Sequence, residues 1–374
     1  MMNELIVPAS DLEVVKQFEG SPDQLGHYLK SQVWDTNSPP KVVILGIPDG
    51  RGSDCHEVAQ APDAIRHHLN SLTTFAREIK IFDLGNVKRG NEVEDTYAAV
   101  KIVAEELSSL RIHLLILGGS QEMTVPLISG FSEQELNLVI VDDRIDNCVS
   151  EKSPPDEFFI NNLPPGTSVS IIAGQTYFIG QQDHDIMAEG YSGEIITLGE
   201  IRADLKEMEP LLRKSDLVSF DFGSLKLSDA PGQYRISPNG LTGEEACQIA
   251  WYSGISTSPV WFGLFGYSPS FDSTTSGAMM AAQIGWYFIN GLSKRMDEEP
   301  VGEATDFEHY CIPVEGLEDP ISFLQHPISR RWWMEVPTED CTMFPVRIPC
   351  SKKDYKKACE NEISEKWWKY FNKI

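Results

Sequence analysis

Residues 137–146 read Asn-Leu-Val-Ile-Val-Asp-Asp-Arg-Ile-Asp, and this stretch decides the fold. Leu138, Val139, Ile140 and Val141 form a short apolar, mostly β-branched run. That composition suits a strand buried on both faces. Three acids and an arginine follow at its C-terminal end. In parallel α/β sheets, ligands bind just beyond the C-terminal strand ends. Asp142 and Asp146 are therefore placed to converge on a cation.

Outward from this stretch the pattern repeats. Strands are expected at 42–47, 79–84, 113–117, 169–173, 177–179, 195–197, 217–221 and 260–265. Helices are expected from Ala61-Pro-Asp-Ala-Ile-Arg66, over 95–107, from Pro126, over 244–252 and over 275–288. Strands alternating with helices over some 250 residues indicate a mostly parallel sheet covered on both faces. Residues 1–40 read as a helical preface, with Leu12, Val15 and Phe18, then Leu25, Tyr28 and Leu29, at helical spacing. Residues 41–291 form the α/β domain. Residues 292–374 form a C-terminal extension rich in prolines and aromatics, with paired tryptophans at Trp332-Trp333 and Trp367-Trp368. Docking on the main domain is the simpler expectation for it; a partner-binding surface is the alternative.

The chain has 374 residues, 41% of them hydrophobic, and a net charge of −25. Such a surface repels nucleic acid and anionic membranes. The charge is uneven, since 351–374 carries seven lysines against four acids. Seven cysteines are scattered without a CxxC pair, as in reduced, cytoplasmic proteins. The N-terminus lacks the basic-then-apolar order of a signal peptide, and the longest nearly apolar stretch, 278–289, is too short to span a bilayer. A soluble cytoplasmic protein is expected.

Three strand ends carry polar chemistry: Gly118-Gly-Ser-Gln-Glu122, Asp142-Asp-Arg-Ile-Asp146 and Ser219-Phe-Asp-Phe-Gly-Ser224, the last followed by Asp229-Ala-Pro-Gly232. Their order resembles the ureohydrolase family of arginase, agmatinase and formimidoylglutamase. That family has Gly-Gly-Asp-His, then Asp-Ala-His-x-Asp, then Ser-Phe-Asp-x-Asp and Ala-Pro-Gly. The loop Ile47-Pro-Asp49 leading to Ala61-Pro-Asp-Ala-Ile-Arg66, and the segment Tyr267-Ser-Pro-Ser-Phe-Asp272, resemble two further family landmarks. The paired-tryptophan extension looks like that of a formimidoylglutamase-like branch. The resemblance implies an arginase-like three-layer α/β/α sandwich. It also implies hydrolysis of a guanidino or formimidoyl C–N bond by a hydroxide bridging two Mn²⁺ ions.

Carried over position by position, the resemblance implies a degenerate metal site. The family's first histidine falls on Gln121, and Ser120 replaces the aspartate before it. The second motif keeps Asp142 and Asp146, but its histidine falls on Arg144. The third keeps Asp221, while its second aspartate falls on Gly223. The substrate-gripping glutamate falls on Gly266, and 147–162 contains no histidine to shuttle protons. A guanidinium has no lone pair for a metal. The expectation is that Arg144 replaces the metal cluster, donating to Asp142, Asp146 and Asp221. The alternative is an Arg144 turned to solvent with the acids at the surface.

Other residues carry weaker readings. His56, near Asp49, Asp54 and Glu57, reads as a polar rim residue rather than a metal ligand. His184 with Asp183 and Asp185 reads as an exposed turn before a cation site, and His67 and His68 as surface and cap residues. Cys55 and Cys148 lie in site-facing loops, where acidic surroundings favour the inert thiol. Gly118-Gly119 lacks phosphate-loop spacing.

The function expected is that of a ureohydrolase-like pseudoenzyme without its metals, serving as a binding or scaffolding protein. The alternative is a divergent hydrolase of linear amidines with one Mn²⁺ held by Asp142, Asp146 and Asp221. A third reading is a structural subunit of an oligomer. No cofactor is expected under the first reading. A protein partner or a homo-oligomer is the expected assembly.

Overall fold

In a computed structural model, residues 2–35, 37–131, 136–147, 153–256, 260–338 and 344–371 are described. The chain divides into two compact units, Met1–Leu205 with Ser215–Arg295, and Lys206–Lys214 with Met296–Ile374.

The first unit is built on a nine-stranded sheet. Its strands are β1 (Ile6–Val7), β2 (Val42–Gly46), β3 (Ile81–Val87), β4 (His113–Leu117), β5 (Asn137–Val141), β6 (Ser168–Gly174), β7 (Ile195–Thr197), β8 (Leu217–Asp221) and β9 (Trp261–Phe265). Their spatial order is β1-β3-β2-β4-β9-β8-β5-β6-β7. Every pairing is parallel except β1 with β3. Every residue of β2, β4 and β9 is buried, as the continuous apolar runs require of strands covered on both faces. The helices Ala61–Ser71, Gly243–Gly254 and Ser276–Lys294 pack together, and Val93–Ser109 packs against Thr124–Ile128. This is the arginase-like α/β architecture.

Arg66 shows how one landmark is fixed. It is fully buried and forks onto Asp83 of β3, with Nε to Oδ2 at 2.9 Å and Nη2 to Oδ1 at 3.2 Å. Nη1 and Nη2 also donate to Asn86 Oδ1 and the Gly85 carbonyl. These bonds tie its helix to the sheet and satisfy a charge that burial would otherwise penalise.

Two details differ from the sequence reading. The preface does hold helices at Glu13–Lys16 and Leu25–Lys30, but it also supplies β1, which is too short to show an alternation. Residues 177–179 are not a strand. Near the end of β6 Ala173 takes a left-handed φ of 73°, and beyond Gly174 the chain folds into a turn, with Phe178 N–H donating to the Gln175 carbonyl at 2.8 Å. Tyr177 and Phe178 are left exposed.

The second unit has its own antiparallel sheet, β10 (Glu308–Ile312), β11 (Ile321–Gln325), β12 (Trp332–Val336) and β13 (Val346–Cys350), in that order. Adjacent residues of a strand face opposite sides. Accordingly Trp332 enters a core with Phe323, Met334, Ile348 and Trp367, while Trp333 joins Leu324 and Ala304 in another. The paired tryptophans thus fill both faces of one sheet. Residues 206–214 belong to this unit, which nothing in their composition signalled.

Candidate functional site

Four neighbouring strands, β4, β9, β8 and β5, bring the site residues to one edge of the sheet. Gln121 follows β4, Gly266 follows β9, Asp221 ends β8, and Asp142 to Asp146 follow β5. Asp142 and Asp146 are 2% and 5% exposed. Asp221 is half-buried. The three carboxylates lie close enough to shift one another. Burial, then the charges of Asp146, Asp221 and Asp143, holds the Asp142 carboxyl well above the usual range. Burial also raises Asp146, against the pull of Arg235. Burial and then Asp146 push Asp221 up to about 7. Like charges crowded out of water retain protons.

Arg144 does not join these acids as expected. Its Nε donates to Asp143 Oδ1 at 2.8 Å and Nη2 to Oδ2 at 3.4 Å, and the guanidinium lies over the Phe178 ring, 4.5 Å from its centroid. Only its backbone N–H reaches Asp142, at 3.3 Å. The adjacent carboxylate and an aromatic face at the turn after β6 outcompete the acids for its side chain.

The cation that enters the cluster is Arg235. Its Nη1 lies 3.4 Å from Asp146 Oδ1, and its Nη2 donates to Glu157 Oε1 at 2.7 Å. Burial opposes its charge, but Asp146, Tyr234, Asp156 and Asp221 outweigh burial and raise its pKa. Its neighbour Tyr234 donates to Asp156 Oδ2 at 2.7 Å. Tyr234 and Arg235 follow the Ala230-Pro-Gly232 landmark after Gln233, so an arginine three residues past Gly232 was the available signal. Its reach into the cluster has no periodicity to betray it.

The remaining positions are occupied by protein contacts. Gln121 Nε2 donates to Ser219 Oγ at 3.3 Å, and Ser219 Oγ pairs with Thr124 Oγ1 at 2.7 Å. Gly266 has φ +75°, and a Cβ there would run into Asp221 Oδ1. A Cβ on Gly223 would lie 2.6 Å from Asp221 Oδ2. Asp221 therefore leans across the space that side chains at 223 and 266 would need. A dimanganese centre does not fit this donor set. One position is an amide hydrogen-bonded to the neighbouring strand, another is an arginine, and a third has no side chain. Arg235 already contacts Asp146. Among the described residues, no group of three or more His, Cys, Asp or Glu side chains is arranged to hold a metal ion.

The other sequence candidates lie apart from chemistry. His56 is exposed. His184 is exposed within the helix Gln181–Gly190, not in a turn, and Asp183 there accepts from the Gly180 N–H and from Asn147. His67 is exposed and His68 half-buried near the C-terminal end of the helix Ala61–Ser71, where the two rings pack edge to face. Cys55 is buried, and burial, more than Glu57, raises its thiol pKa. Cys148 lies outside the described residues.

An arginase-family model matches residues 40–290. Among solved structures, formiminoglutamase from Trypanosoma cruzi with Mn²⁺ superposes with a TM-score of 0.65 at 18% identity, covering 72% of this chain and 98% of that one. Formimidoylglutamase from Bacillus subtilis gives 0.64 at 18% identity, covering 78% and 93%. Agmatine ureohydrolase of Thermoplasma volcanium gives 0.59 at 21%, covering 75% and 96%. A comparison with curated protein sequences found no match.

Proposed function

The chain belongs to the arginase family, and from that premise we propose that it has given up dimanganese hydrolysis and works as a binding or scaffolding protein. The observation that carries this reading is the Arg235 guanidinium on Asp146 and Glu157. It places a permanent positive charge against one of the carboxylates that the family resemblance assigns to metal. Arg144 and Gln121, at the two histidine positions, offer no imidazole. Gly266, where the resemblance puts the glutamate that grips a cationic substrate, has no carboxylate, and its φ of +75° is one that a residue with a side chain rarely adopts.

A second reading is favoured by one feature: Asp142, Asp146 and Asp221 still converge. On that reading the protein is a divergent hydrolase of linear amidines, with those three acids around one Mn²⁺. The two readings part on turnover. Purified full-length protein, assayed with excess Mn²⁺ on formimidoylglutamate, agmatine and arginine, is expected to release neither formamide nor urea above the uncatalysed rate. Saturable release from any of the three, lost in Asp221→Asn, would establish the second reading.

The setting proposed is the cytoplasm, without nucleic acid or membrane as partner. The net charge of −25 supports this, as do five unpaired cysteines among the described residues. No helix of the described residues is long and apolar enough to cross a membrane.

A further inference from the structure

The helices Gly243–Gly254 and Ser276–Lys294 pack side by side, and an open groove of about 920 Å³ runs between them. Trp251, Met280 and Tyr287 supply its apolar surface, and Asp229 and Glu244 line it too. Asp229 Oδ2 accepts from the Gly243 N–H at 3.2 Å, so both acids stand by the first turn of the helix Gly243–Gly254. None of the described lining residues is a lysine or an arginine. Tyr287 is 40% exposed. A groove between helices, with aromatic and thioether walls and an acidic end, suits an amphipathic helix with basic residues.

The second unit carries such a helix, Glu365–Phe371. It buries Trp367 in the core of its unit but leaves Trp368 40% and Phe371 42% exposed. Residues three apart share one side of a helix, and these two rings are 5.8 Å apart. Lys366 and Lys369 lie on the same helix. Residues 351–374 carry seven lysines against four acids, net +3 in a chain of −25, so the rest of the chain carries −28. The lengths also match. At 1.5 Å per residue this helix is about 10 Å long, and so is the run from Glu244 to Trp251 along the groove. We propose that the helix Glu365–Phe371 of one copy of this chain docks in the groove between the helices Gly243–Gly254 and Ser276–Lys294 of a second copy. Trp368 and Phe371 enter against Trp251, Met280 and Tyr287, while Lys366 and Lys369 meet Asp229 and Glu244. The aromatic rings supply the affinity, and the opposite charges set the direction of docking. The two surfaces differ, so the contact is head to tail: each copy gives a helix and takes one.

The test is sedimentation velocity of the full chain over a range of concentrations. At low salt the mass is expected to rise with concentration to at least that of two chains. High salt should lower it, because exposed charge pairs are screened. Trp368→Ser and Tyr287→Ser each remove an exposed ring and leave the cores intact. Each should weaken self-association by about tenfold or more. Val301→Ser, at a residue more exposed still, should leave it unchanged. An equal mixture of Trp368→Ser and Tyr287→Ser should associate more strongly than either variant alone, since one supplies an intact groove and the other an intact helix. A single-chain mass at every concentration would overturn the proposal. So would association unmoved by both ring substitutions, an equal loss in Val301→Ser, or a mixture no stronger than its components. Neither metal nor turnover is read in this experiment, so its outcome is independent of the pseudoenzyme reading.

Discussion

Arg235→Met should lower the unfolding free energy at neutral pH by about 3 kcal/mol, the lower end for removing one partner of a buried ion pair, because the Arg235 side chain keeps some solvent contact. The physical cause is what remains. Asp142, Asp146 and Asp221 would lose the guanidinium that draws on Asp146 and Asp221, and Glu157 would lose its 2.7 Å partner. The sign of the pH dependence follows. Without Arg235 the acids hold their protons still more tightly, so the destabilisation should shrink as pH falls toward 5. The double variant Arg235→Met, Asp146→Asn should recover part of the loss. Urea unfolding followed by circular dichroism between pH 5 and 8 reads all three. A neutral Arg235→Met at every pH would show that something other than Arg235 balances the cluster.

The second large effect has the opposite sign. Asp221→Asn should stabilise the protein above pH 7 by about 2 kcal/mol. In the fold the Asp221 carboxyl is pushed up to about 7 from an ordinary 3.8. A raised acid binds its proton more tightly in the folded than in the unfolded chain. Its contribution is therefore fully present below pH 4 and is lost as pH climbs through 7. Three units at 1.36 kcal/mol each would give roughly 4 kcal/mol. The half-buried setting and solvent screening cut that to about half. Asparagine cannot ionise and escapes the loss. Melting curves at pH 5 and pH 8 should show the variant's lead widening from the lower pH to the higher. In a chain that held metal through Asp221, the same substitution would destabilise.

The fold was legible because strands buried on both faces leave continuous apolar runs. Leu114 to Leu117, Leu138 to Val141 and Trp261 to Phe265 each announce themselves without a partner. β1 was not legible, since two residues carry no period. Tyr177 to Ile179 looked like a strand by composition, but the segment closes into a turn on the Gln175 carbonyl, which accepts from Phe178 and Ile179 N–H, and apolar composition gives no warning of that. In the second unit the aromatic density was plain, while the recruitment of 206–214 depends on tertiary contacts.

The site was legible to the level of strand ends and no further. Asp142, Asp146 and Asp221 stand together because adjacent parallel strands align their C-terminal ends. Which cation serves them was misread. Arg144 lies between two of the acids in sequence, but its side chain finds Asp143 and Phe178 first. Arg235 is 89 residues from Asp146 in the chain, and it reaches the cluster from a loop whose path depends on the whole fold. Sequence proximity identified the need for a positive charge and assigned it to the nearer arginine.

The central claim is that this cluster is balanced by the protein's own arginine and not by manganese. Full-length protein, incubated with excess Mn²⁺, freed of unbound ion by gel filtration and analysed for metal, tests it most directly. The account predicts manganese far below one ion per chain, in wild type as in Asp221→Asn. One or two ions retained per chain in wild type, and lost in Asp221→Asn, would contradict it.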